Sequence, residues 1–404
     1  MRLSGTYKAR GGESWDLVAR QTTGNDTDAA AIKRANPAVQ EPIAAGTVIQ
    51  VPMARGPSEV VSTEALDIRV EGTRIGTFDN FELALAIDAI SKCAFSVPNE
   101  PETREIFMPL GSQRITVDHL GERLFTGRCE SPRLNNDPSI KILDISCYSN
   151  PGVLELCTPS IEKFPLEWKD ALLEQITEDL CGEHGISVRF DTPTSARFKR
   201  VDIEPGQGIL PFLSGLASQR GLVISDSAFG ELLLHGGEGA GEVVSFLEKG
   251  KHPTEAMVVS IDESKYYSSV TGIVPAKSRK WALGAKFTVK NPHATDVVRA
   301  YSFDAEDIDK GELEKATNSV AGRMFAELVS CSVEVATWQN DLGQTYQPGQ
   351  LVSLKSEEDF IPEPFEFLVA MVTLKRSAGI YSASLNLVLP GVYSGKIPER
   401  MPWQ

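Results

Sequence analysis

The chain has 404 residues, a length that implies two to four domains. Its composition, 41% hydrophobic and 24% charged, is that of a globular protein able to build real cores. Fifty-five acidic against forty basic residues give a formal charge of −15, which excludes a surface built to coat nucleic acid, because phosphate binding needs a basic face. No apolar run approaches the ~20 residues that span a bilayer as a helix. Met1–Gly5 leads straight into a folded pattern, so no cleaved signal is expected. The six cysteines form no CxxC pair and mostly sit in apolar stretches, so they read as buried thiols of a reducing compartment.

Residues 1–53 read as a small strand–helix–helix–strand unit. Tyr7 starts a strand. Ser14 can cap a helix that turns Trp15, Val18 and Ala19 inward. A second helix, Asp28 to Ala35, stops at Asn36-Pro37, since a residue before proline is pushed out of the helical region. Val48, Ile49 and Val51 close the unit as a strand. Residues 54–64, polar and containing Gly56-Pro57, read as a linker.

Residues 65–155 are strand-rich, with clean alternation at Leu66, Ile68 and Val70 and at Phe81, Leu83, Leu85 and Ile87. Repeated short strands argue for a small barrel, with 96–105 as an exposed loop. In 156–236 the period changes. Leu166, Trp168, Leu172, Ile176 and Leu180 fit one helical stripe ended by Gly182. From 199 to 235 the pattern is strand, turn, helix, strand, turn, strand. The helix carries Ile209, Phe212, Leu213 and Leu216 on one face and tolerates Pro211 in its first turn. Trp168, Leu172, Ile176, Ile209, Phe212, Leu213 and Leu216 are the expected core of this α/β domain. Residues 237–395 return to strands around one inserted helix, about Asp309 to Val329, and 396–404 read as a C-terminal arm. The fold class is therefore α+β and multidomain: a small βααβ domain, then two β-barrels bracketing an α/β domain.

The first unit resembles a LysM module, through GESWDLVA at 12–19, ANP at 35–37 and IAAGTVIQVP at 43–52. The resemblance implies a glycan-binding or docking surface at Gly12, Glu13, Ser14, Trp15, Asn36 and Pro37, with peptidoglycan or a baseplate neighbour as partner. A purely local reading leaves Trp15 as core and Pro37 as a helix stop. The remainder resembles the baseplate hubs of contractile-tailed phages, of the Mu-like type, with P2-type late control proteins and type VI secretion spikes as relatives. The residues that carry this are PLEWKDALLEQI at 165–176, VDIEPGQGILPFLSGLASQRGLVISDSAFGELLL at 201–234, TYQPGQLVSL at 345–354 and the strands that follow. It implies a virion protein assembled in the host cytoplasm. Three such chains would form a homotrimeric ring of pseudo-six-fold symmetry that joins the tail tube to the central spike, bordered by wedge proteins. A front LysM module departs from the usual hub of this type.

No catalytic pattern accompanies these features. The histidines at 119, 184, 235, 252 and 293 show no metal-ligand spacing, and no GxSxG elbow or phosphate-binding loop occurs. The acidic residues between Asp304 and Glu314 suit the start of a helix. No enzyme activity, cofactor or metal is expected. The alternatives are a peptidoglycan-targeted cell-wall hydrolase and the hub of a phage-like secretion or injection particle.

Overall fold

A computed structural model of the chain describes residues 3–9, 14–15, 18–19, 29, 32–33, 36–37, 39–52, 66–137, 140–194, 196–237, 241–275, 283–294, 299–305, 312–377, 380–398 and 400–404. The expected linker 54–64 lies outside them. The chain divides into two compact units, Met1–Ala65 and Leu66–Gln404.

In the first unit, β1 (Leu3–Lys8) and β2 (Val48–Pro52) pair antiparallel, with Tyr7 opposite Ile49. Trp15, Val18, Ala19, Ala29, Ile32 and Lys33 between them are helical. The i, i+3, i+4 spacing of Trp15, Val18 and Ala19 gathers them on one face. With Ala29, Ile32, Ile43 and Ile49 they form a single small core.

The second unit opens with β3 (Leu66–Val70), β4 (Thr73–Arg74), β5 (Asp79–Ala86) and β6 (Lys92–Pro98). Helix α1 (Pro101–Ile106) follows where an exposed loop was expected. Proline at its first position is preset for a helix, and the Thr103 hydroxyl accepts the Glu100 N–H at 3.0 Å. Next come β7 (Arg114–His119), β8 (Glu122–Asp137) and β9 (Ile140–Ser149), then a short α2 (Val153–Leu156). The middle region holds β10 (Glu167–Ala171), α3 (Leu173–Gly182), β11 (Val188–Phe190), β12 (Phe198–Asp202), α4 (Ile209–Gln219), β13 (Val223–Asp226) and β14 (Leu232–His235). The last region holds β15 (Val243–Glu248), β16 (Thr254–Ile261), β17 (Ser269–Pro275), β18 (Leu283–Lys290), β19 (Ala300–Asp304), α5 (Leu313–Leu328), β20 (Val329–Val335), β21 (Leu351–Ser356), β22 (Ile361–Ser377) and β23 (Ile380–Val388).

The protein is mainly β. Among the described residues one thirteen-stranded sheet runs β16-β20-β23-β22-β5-β6-β9-β8-β7-β3-β4, with β21 on β22 and β15 on β21. The two strand-rich regions, expected as separate bodies, are thus one hydrogen-bonded network over one continuous core. The long β22 makes the join. Along one edge it holds β21 over Ile361–Leu368 and β5 over Met371–Arg376, while β23 occupies the other edge. An irregularity between Val369 and Met371 falls between the two partners, where a bulge can re-aim the strand.

Between β16 and β20 the chain detours through a three-stranded sheet, β18-β17-β19, with α5 packed across it. The expected C-terminal arm is a correction: the tail folds back onto the body. Met401 is buried in the main core with Ile397 packed against it, and the His293 Nε2 contacts the Pro398 carbonyl at 2.8 Å. Gly322 on α5 allows this, because a Cβ there would strike the Val392 carbonyl. Apolar side chains within a polar tail gave it an anchor that its composition hid.

Candidate functional site

The expected N-terminal surface divides in two. Ser14 and Pro37 are exposed, whereas Trp15 and Asn36 are buried; Gly12 and Glu13 lie outside the described residues. Trp15 packs its indole in the core, and its backbone N–H donates to Glu41 Oε1 at 2.6 Å. The Asn36 amide donates to the Ile32 carbonyl at 2.8 Å, satisfying a helix-end acceptor. Neither side chain presents a face to a ligand. A large aromatic and a polar helix stop both served the small core, which needs all the apolar area it has.

The middle region encloses its own core. Leu213 and Ala217 of α4, Leu173 and Ile176 of α3, and Leu232 and Leu234 of β14 are fully buried, with Ile209, Phe212 and Leu216 beside them. Trp168 and Leu172 require correction. They do not lie on the helix: Trp168 is on β10, and Leu172 is the residue before α3. Both are only partly buried. β10 pairs antiparallel with β12, placing Trp168 opposite Val201. The indole stacks near Phe212, with ring centroids 6.2 Å apart, and donates to Asp179 at 2.9 Å. Leu173, which the spacing argument missed, is the residue that enters the core.

The middle region is fastened to the frame by polar contacts at its ends. The Ser91 N–H and hydroxyl both donate to Asp226 Oδ1, at 2.7 and 2.8 Å. The Thr126 hydroxyl donates to the Ala228 carbonyl at 2.8 Å. His235 Nδ1 accepts the Gly237 N–H at 3.3 Å, which leaves the proton on Nε2, facing the Ile87 carbonyl at 3.0 Å. Burial lowers the His235 pKa, so the ring is neutral near pH 7. On the other side Arg220, at the end of α4, pairs with Glu312, at the start of α5, at 3.3 Å. A small apolar cluster of Ile87, Val223, Leu368, Ala370, Val388 and Tyr393 fills the space between the three regions.

A second seam joins β7 to the last strands. His119 packs edge-on against Trp338, 4.9 Å between centroids, and its Nδ1 lies 3.0 Å from the Thr345 hydroxyl. The Trp338 N–H is shared between the carbonyls of Lys375 and Ser382. Burial lowers the His119 pKa as well.

These arrangements hold surfaces in place and assemble no reacting constellation. Burial pushes the thiols of Cys129, Cys181 and Cys331 up to about 11, about 12 and about 12, so they stay protonated and unreactive. Among the described residues no group of three His, Cys, Asp or Glu side chains could hold a metal ion.

Residues 154–236 match the family described as baseplate hub protein gp44-like, second domain. Over 319 residues the chain is 24% identical to baseplate hub protein gp44 of Escherichia phage Mu, covering 73% of this chain and 76% of that protein. The 43 kDa tail protein of prophage MuSo2 from Shewanella oneidensis has a similar fold. Its TM-score is 0.69 at 18% identity, over 82% of this chain and 100% of that one. A tail protein from Neisseria meningitidis MC58 also has TM-score 0.69 at 18% identity, over 82% of this chain and 98% of that one. The chain is thus similar in fold to phage tail proteins, and its middle region to a hub domain.

Proposed function

We propose that this chain is the structural hub of a contractile-tail baseplate in a virion. Three copies form a ring whose paired strand-rich regions give pseudo-six-fold symmetry and adapt the tail tube to the central spike, assembled in the host cytoplasm. The observation that carries the reading is the hub-domain match at 154–236, set into a frame whose two strand-rich regions are joined through β5 and β22. The clamped middle region supports it further: polar contacts from Asp226, Ala228, His235 and Arg220 fasten it to the neighbouring regions. A ring would also give the free edges of the sheet, β16 and β15 among them, something to meet.

The N-terminal unit fits a LysM module by its strand, helical residues and closing strand. With Trp15 and Asn36 internal, docking to a baseplate neighbour is favoured over a sugar groove built on the indole. Multi-angle light scattering on the purified chain tests the ring. A species of three chain masses is expected, and a monomer at every concentration would oppose it. Sedimentation with peptidoglycan tests the N-terminal unit: the docking reading expects the chain to stay in the supernatant.

A further inference from the structure

The three regions of the second unit meet around a cleft of about 380 Å³. Leu85, Ile87, Leu124 and Leu233 supply apolar walls, and the loop Gln347–Gln350 forms one side. That loop is held in place, since the Gln347 N–H donates to Gln350 Oε1 at 3.0 Å and the Gly349 N–H to the Val369 carbonyl at 2.8 Å. Asp226 also lines the cleft. Its two short hydrogen bonds come from Ser91, a neutral residue.

Every other ionisable group at the cleft is accounted for. Asp191 is paired with Arg189 at 3.1 Å. His235 is neutral and occupied with backbone groups. Among the described residues no lysine or arginine lines the cleft or pairs with Asp226. A largely buried carboxylate without a counter-ion is costly, and burial accordingly raises the Asp226 pKa.

The geometry points to a counter-ion supplied from outside: the cleft receives an arginine side chain of a partner protein, with Asp226 as its carboxylate. An arginine carries an apolar stem that suits the leucine and isoleucine walls, and a weakly hydrated planar head that suits a desolvated carboxylate. The chain's net charge of −15 favours a basic partner surface in the same sense. A group seated there would touch all three regions at once and report their correct docking. That the donor is a protein rests on the proposed assembly role; the recognition chemistry does not.

Saturation-transfer NMR on the full chain tests this, with Nα-acetyl-arginine amide as the probe and its lysine and citrulline analogues as comparisons. Transfer to the arginine probe is expected, less to lysine and none to the uncharged citrulline. Asp226→Asn should weaken arginine binding by about tenfold, the worth of one charge-assisted bond. Ala228→Phe, which narrows the cleft and leaves the carboxylate, should weaken it too, with circular dichroism confirming that the variants fold. If Asp226→Asn does not fold, Ala228→Phe and the citrulline comparison decide. Equal transfer to citrulline, unchanged binding in the folded variants, or no transfer to the wild-type chain would each overturn the assignment. A trimer that ignores the probe would remove the arginine site and leave the hub; a persistent monomer that binds it would do the reverse.

Discussion

At the scale of residues, buried charges and histidines decide how firmly the regions hold together. Arg220 is nearly inaccessible, with a side chain 4% exposed, and its guanidinium lies 3.9 Å from the Phe198 ring centroid as well as against Glu312. Each partner of this pair sits at the helix end that its charge favours. Removing one partner strands the other charge, so Arg220→Ala should cost about 3 kcal/mol in urea unfolding. The Arg220→Met/Glu312→Leu double variant should recover much of it, and strict additivity would show that the pair is uncoupled. His119 and His235 make a pH prediction. Both have folded pKa values below the unfolded value near 6.5. The unfolded chain therefore takes up protons first as pH falls below about 6.5, and stability drops until the folded pKa values are passed. Melting curves between neutral and mildly acidic pH should show this loss, and His119→Gln with His235→Gln should flatten it.

At the scale of elements, α4 shows what local pattern can reveal. Ile209, Leu210, Phe212, Leu213, Leu216 and Ala217 follow the helical period and are all buried. Leu213→Ala should cost about 3 kcal/mol by cavity formation, and Leu213→Asp should leave no folded protein; calorimetry on the first and soluble yield on the second check this. The β13–β14 hairpin was equally legible, because both strands and their turn lie within a few residues of one another. β10 was not. Leu166 and Trp168 match a strand's period of two as well as the helical stripe that continues through Leu172, Ile176 and Leu180, and the partner that decides, β12, is distant in sequence. At the N-terminal surface, Trp15 and Asn36 were misplaced for a different reason. Tryptophan and asparagine at a helix start and stop serve a core or a ligand with the same residue types, and only burial separates the two.

At the scale of the whole molecule, the frame depends on pairings that no local pattern encodes. Alternation identified β5 and the strand around Phe367–Val372 as strands, yet it carried no sign that they pair and fuse the two strand-rich regions. Val372 lies between Leu85 of β5 and Leu385 of β23 and is fully buried. Proline there would break the ladder at its join, so Val372→Pro should abolish soluble expression. A folded variant with unchanged hydrogen exchange across β5 would contradict the role assigned to this strand. The most direct test of the assembly itself is electron cryomicroscopy of tail particles assembled in cells that express this chain. The account predicts three copies in a closed ring between tube and spike, with both strand-rich regions of each copy facing the axis. A particle lacking the chain, or holding it outside that ring, would contradict it.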